Sequence, residues 1–299
     1  MIGVVYFFGV AAVIYPIIGK IYTLSLSHST IKFYDESVGD MPGTELSEKL
    51  DNAKAYNEKL ASGIIDEQLS KSLNNANGLM CYVDVPHLGI YLPVFYGTDN
   101  DVLGKGCGWI PNTSLPVGGI STHACISGHT GMPDAEMFTR LDNAKTGEEF
   151  YINVLGEILA YRIDMIETVL PDDTSSLEII ENEDHVTLVT CTPYGINDKR
   201  LLVRGTRIPY VNPVSDETSK EITYQISSAS DDRASQVDES LQKQINDCIL
   251  KIVIIVVVSV VLFAAACIWL SIMFRRITVS DDTSVNKKQS EDNNGKRKE

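Results

Sequence analysis

Between Ile252 and Phe274 the chain reads IVIIVVVSVVLFAAACIWLSIMF, 23 residues without a charge. No other stretch restricts the fold so tightly. In hydrocarbon the backbone N–H and C=O groups meet no water, so a single span must close its hydrogen bonds within itself as an α-helix. About 20 apolar residues cross a bilayer, and this run is long enough. Arg275 and Arg276 follow at once, with Lys287, Lys288, Lys296, Arg297 and Lys298 beyond them. That basic flank predicts a cytoplasmic C-terminus. Met1 to Gly19 is also apolar, with no basic leader region and no clear small-residue cleavage site, and so reads as an uncleaved signal-anchor. Lys20 on its far side argues weakly for the opposite orientation, but the larger basic cluster at the other end outweighs it. Two spans put both termini in the cytoplasm and the middle of the chain outside the cell membrane.

The domain organisation expected from these limits is a signal-anchor over 1–19, a helical extension over 20–78 and a catalytic β-barrel over 79–208. An acidic stalk over 209–251 follows, then the span over 252–274 and a polar tail over 275–299. The stalk is rich in Ser, Asp, Glu and Gln, with little apolar periodicity until near its end, and the tail has few hydrophobes, so both are expected to lack a packed core. The net charge of −15 excludes a nucleic-acid partner, which needs a basic footprint. Of six cysteines, Cys248 and Cys267 lie at the edge of the span and inside it. Cys81 and Cys125 fall within apolar strand patterns and Cys107 in a Gly-rich turn, the places of buried thiols rather than of a disulfide framework. No CxxC or Cys/His ligand spacing occurs, so neither a structural zinc nor any other cofactor is expected.

Within the extension, Ile21 to Tyr34 reads as helical or extended. Leu46, Leu50, Ala53, Tyr56 and Leu60 then recur at helical spacing, a stripe that predicts a helix packed on the barrel in preference to one reserved for a partner. From Leu79 onward short alternating runs dominate. Cys81 to Val85 and Ile90 to Tyr96 flank a Pro-Gly turn, and Phe150 to Val154 and Ile158 to Val169 flank Leu155-Gly156-Glu157. Pro133 to Leu141 reads as a short helix, and the acidic connector from Pro171 to Glu183 as partly helical from Leu177. Seven to eight short strands with few helices make the fold mainly β, a closed barrel with a helix crossing the membrane at each end.

The chemistry concentrates in HVTLVTCTPYGINDKRLLVR, from His185 to Arg204. Val186 to Thr190 is a half-buried strand, Cys191 follows it, and Pro193, Gly195 and Asn197 break it into a loop. Arg200 opens the next apolar run. If the two runs pair antiparallel, a thiol and a guanidinium share one end of the sheet, where a thiolate is favoured and an oxyanion can be held. Upstream, Ser127-Gly128-His129-Thr130-Gly131 ends a strand with a histidine that can act as acid and base. His123 lies at the other end of that strand and reads as structural. Arg204, at the same strand parity as Arg200, is the rival cation, its bland alternative being an ion pair.

TLVTCTPYG with RLLVRG after it and SGHTG before it resembles the sortases, the cysteine transpeptidases of Gram-positive surfaces, and most closely the class C, pilin-polymerising branch. The resemblance runs from about Gly78 to Arg207 and takes in LPVGG (Leu115 to Gly119) and LGEILAYRID (Leu155 to Asp164). It implies a sortase-type barrel with Cys191 as nucleophile, His129 as general acid/base and Arg200 as oxyanion stabiliser. It also implies an LPXTG-bearing pilin or surface-protein substrate, cut between Thr and Gly, and an acceptor amine, either a pilin lysine or a peptidoglycan stem peptide. Three departures stand out. The family commonly has His or Thr where Lys199 stands and often Arg at Thr130. Its class C lid carries an Asp-Pro-aromatic motif, whereas Ser62 to Leu69 here has Asp66 but neither proline nor aromatic. A thiol endopeptidase with water as acceptor, and a membrane-tethered binding module with an inactive site, remain as alternatives.

Overall fold

The computed structural model describes residues 2–75, 77–133, 135–210, 239 and 241–273. Pro86 and the left-handed Gly89 (φ 62°) turn β1 (Leu79–Val85) back onto β2 (Ile90–Tyr96), which pair antiparallel. The four-residue helix α3 (Asn100–Leu103), capped by the Asp99 carboxylate at 2.9 Å from the Val102 amide, leads into β3 (Cys107–Trp109) and then β4 (Thr122–Ser127). A hairpin of β5 (Glu149–Val154) and β6 (Glu157–Val169) follows, and β7 (Asp184–Thr192) and β8 (Lys199–Ile208) complete the set. Around the barrel the order is β1-β2-β3-β4-β7-β8-β6-β5, and β5 pairs with β1 to close it. The β2–β3 and β4–β7 pairs are parallel and the rest antiparallel. Because β4 and β7 run the same way, the chain between them must cross over, and it spends that crossover on the β5–β6 hairpin.

Strand alternation fills the barrel. Val83, Trp109, Ile126, Phe150, Ile152, Tyr161, Leu188 and Val203 are all fully buried in one cluster. Residues between them point outward, where Val169, Val189 and Leu202 form a separate apolar cluster with Ile110 and Leu177 packed against it. The expected helical stripe is α2 (Gly43–Ala61), which buries Ala53 and Tyr56 and packs Leu50 and Leu60 on the main core. Asn57, also buried, fixes it in place: its amide nitrogen donates to the Leu115 carbonyl at 3.0 Å and its oxygen accepts the Leu115 amide at 2.7 Å.

Three local expectations are revised. The described residues from Pro133 to Arg140 form bends and turns, because Met137 sits at φ 40° and the Phe138 amide bonds the His129 carbonyl at 3.0 Å, and a 3₁₀ turn begins only at Leu141. Its apolar side is nonetheless buried, with Met137, Phe138 and Leu141 all in the core. Cys107 opens strand β3 instead of lying in a turn, and the 3₁₀ turn of the acidic connector, Ser175–Leu177, ends at Leu177. Asp66 is absorbed locally. Its carboxylate accepts the amides of Gln68 and Leu69, both at 3.1 Å, and pairs with Lys59 at 2.8 Å.

Residues 16–244 form one unit and residues 2–15 with 245–273 another, within the described residues. α1 (Ile2–Gly39) and α4 (Leu241–Met273) are each long and apolar enough to cross a membrane. In the second unit the Tyr6 hydroxyl donates to the Ser259 carbonyl and the Tyr6 ring lies 4.9 Å from that of Phe263, centroid to centroid. Residues 241–251 of the expected stalk are the first turns of α4, while 211–238, and the tail over 275–299, lie outside the described residues.

Candidate active site

Three segments end side by side. In the β7–β8 ladder Cys191 is the Cα partner of Arg200. In the parallel β4–β7 ladder Ser127 is opposite Val189, the last pair, and His129 follows two residues after the one as Cys191 follows two after the other. Cys191 and Arg200 are thus direct cross-strand partners, and His129 stands two residues past the end of β4 on the other side of β7, each of the three partly exposed. Main-chain alternation puts Cys191 on the outer face with Val189, and Arg200 on that face with Leu202.

The segment around His129 is tied to β7 by Thr190. Its hydroxyl donates to the Gly128 carbonyl at 2.6 Å and meets the Thr130 hydroxyl at 2.6 Å, so both residues flanking His129 are tied to the residue preceding Cys191. The Gly128 amide also donates to the Val189 carbonyl at 3.0 Å. Gly128 has to lack a side chain, since a Cβ there would stand 2.7 to 3.1 Å from the ring of Phe138. Thr190 is the residue that sequence reasoning passed over. Its only signal is the Thr alternation of the strand, which reads equally well as ordinary β-propensity. Thr130, where the family often has Arg, finds its use in this bridge. On the other side the Arg200 guanidinium donates to the carbonyls of Lys199 at 3.1 Å and Asn197 at 3.4 Å, folding it back over the loop after Cys191.

The competing groups are engaged elsewhere. Arg204 grips Asp164 through two nitrogens, at 2.6 and 3.1 Å. His123 is 1% exposed and uses both ring nitrogens, one against the Glu178 carbonyl at 2.8 Å and one against the Thr187 hydroxyl at 2.7 Å. Burial pushes its pKa down to about 4, with the neighbouring His185 and Arg204 adding to the effect and the Glu178 hydrogen bond opposing it. His185 is lowered too, first by burial and then by the Arg204 charge. Cys81, Cys107 and Cys125 are buried free thiols; burial pushes Cys125 up to about 12 and the other two well above the ordinary thiol range. Cys191 is the one barrel cysteine that solvent reaches.

A solvent-reached thiol paired across strands with an arginine, with a histidine on the neighbouring segment at the end of a closed mixed barrel, is a set of groups chemically suited to acyl transfer through a thioester. The sortase domain model matches residues 83–208, the barrel from β1 through β8. The chain is 44% identical to sortase C of Streptococcus pneumoniae, a structure that covers 62% of this chain and is itself covered in full, with a TM-score of 0.58. It is 42% identical to Clostridium perfringens sortase C, across 61% of this chain and 99% of that one, also with a TM-score of 0.58. This chain belongs to the sortase family, among the class C enzymes. It is also 29% identical over 113 residues to sortase A of Streptococcus agalactiae serotype III, a match that spans 37% of this chain and 45% of that relative's length.

Proposed function

We propose that this chain is a membrane-anchored cysteine transpeptidase that cuts an LPXTG-like sorting signal between Thr and Gly and joins the acyl group to a pilin lysine. The observation that carries the reading is the cross-strand pair Cys191–Arg200, with His129 on the segment that follows the neighbouring strand β4, in a chain over 40% identical to structures of sortase C. One of those relatives was described for its catalysis and pilin substrate specificity, and another with a C-terminal cell wall sorting motif. In this scheme the Cys191 thiolate attacks the Thr carbonyl and Arg200 stabilises the oxyanion that develops. His129 protonates the departing glycine amine, leaving a thioacyl enzyme, and then takes the proton of the incoming amine as the C–N bond forms and the C–S bond breaks.

The apolar helices at either end of the chain anchor it, with the barrel outside the cell and both termini in the cytoplasm. A peptidoglycan stem amine is the second acceptor to weigh, favoured by the Ser62–Leu69 segment, where Asp66 is bound to Lys59 and its own turn and no proline or aromatic follows it. Full-length protein given a sorting peptide together with a pilin lysine peptide and a stem peptide is expected to join the first. Exclusive joining to the stem peptide assigns the enzyme to wall anchoring, and release of free acid under saturating amine makes it an endopeptidase.

A further inference from the structure

Three residues after Cys191, Tyr194 stands at the tip of the β7–β8 loop with 65% of its surface exposed, beside Ile196 at 69%. Its ring is nevertheless placed. It lies along Gly131, two residues after His129, so closely that a Cβ on that glycine would fall 3.2, 3.4 and 3.6 Å from Cε2, Cδ2 and Cζ of the ring. Gly131 holds φ 79° and its amide donates to the Thr139 hydroxyl at 3.0 Å, so the surface under the ring is fixed. The loop that carries the ring is closed by the Ile196 and Asn197 amides on the Pro193 carbonyl, at 3.1 and 2.9 Å, and the Asn197 carbonyl in turn accepts from Arg200. Tyr194 therefore spans from the loop of the thiol and guanidinium to the loop of the imidazole.

We infer that Tyr194 is a positioning residue that bridges the two loops above the thioester and sets how that intermediate is divided between amine and water. The inference rests on the transpeptidase reading. A thioacyl enzyme has two fates. An amine forms a C–N bond, breaks the C–S bond to expel the Cys191 thiolate and passes its proton to His129; water forms a C–O bond, breaks the same C–S bond, passes its proton to His129 and releases a free acid. The second reactant is the smaller and the more abundant, so the ratio depends on what covers the carbonyl and on whether His129 stays in line with the acceptor. An aromatic ring resting on a side-chain-free glycine beside His129 supplies cover from the loop that follows Cys191, and packing of this kind is specific in geometry.

The test compares full-length wild type, Tyr194→Ala and Tyr194→Phe, given a sorting peptide and a lysine peptide, with acyl-enzyme, joined product and free acid followed by mass spectrometry. Tyr194→Ala is expected to form the Cys191 acyl-enzyme and to raise the ratio of free acid to joined product by about five- to tenfold, the scale of one lost aromatic contact, whereas Tyr194→Phe stays within about twofold of wild type. The Tyr194→Ala unfolding midpoint should match that of wild type, because the side chain is mostly exposed. Wild-type acylation with an unchanged ratio in Tyr194→Ala overturns the bridge alone. Failure of the wild type to acylate overturns the bridge together with the function it rests on.

Discussion

Arg200 and Arg204 lie four residues apart on the outer face of β8, and their surroundings separate them. Arg204 is committed to Asp164 on β6, while Arg200 bonds only main-chain carbonyls in the contacts described and sits opposite Cys191. Arg200→Ala is expected to lower kcat/KM by ~10²–10³, the cost of losing one oxyanion-stabilising donor, with little change in unfolding midpoint. Arg204→Ala should leave kcat/KM within a few-fold and cost ~0.5–1 kcal/mol of stability, the scale of a solvent-touched ion pair. Chemical denaturation and steady-state kinetics on the two variants check this; the reverse pattern would exchange the roles. Choosing between the two arginines was within reach of the sequence only through the family motif. Asp164 stands 40 positions away, and nothing in the spacing says that β6 will lie beside β8. The strand–Cys–loop–Arg order, by contrast, was legible directly, because alternation and loop breakers are local.

At the scale of elements, the anchoring of α2 turns on one polar residue. Asn57 makes two hydrogen bonds to the main chain of Leu115 in a setting that is 3% exposed. Asn57→Ala strands both the Leu115 amide and its carbonyl, and is expected to destabilise the barrel unit by ~2–3 kcal/mol, read as a lower urea midpoint at unchanged slope. A loss under ~0.5 kcal/mol would mean that α2 is held by its apolar stripe alone. That stripe is what the sequence displayed, since Leu50, Ala53, Tyr56 and Leu60 recur at helical spacing; the role of Asn57 depends on a partner 58 residues on. β3 shows the complementary limit. Three residues are too few to show a period, and Cys107–Trp109 became a strand only because β2 and β4 offered ladders on either side. Pro133 to Leu141 had the spacing of a helix, but its apolar residues are buried from a turn that serves the main chain of His129.

For the whole molecule, the buried imidazole of His123 makes stability depend on pH. Folding lowers its pKa from the ordinary 6.5 to about 4, so between those values the unfolded chain takes up a proton that the folded chain refuses. Stability should fall as pH drops through that window, by up to ~3 kcal/mol from this group, and level off below it. His185 shifts in the same direction and adds to the slope, with Asp164, Glu183 and Asp184 opposing it. Urea midpoints for wild type and His123→Gln at about pH 7 and about pH 5 check the sign: the variant should show the smaller drop. A steeper drop in the variant would contradict the account.

The central claim is the proposed one, that Cys191, with Arg200 opposite it and His129 on the neighbouring segment, is the working thiol of an eight-stranded barrel whose other thiols are buried. Peptide mapping of the covalent adduct formed with an LPXTG peptide tests that claim most directly. The account predicts an acyl group on Cys191 in the wild type and none in Cys191→Ala. An adduct that persists in Cys191→Ala, or one that maps to Cys81, Cys107 or Cys125, would contradict it.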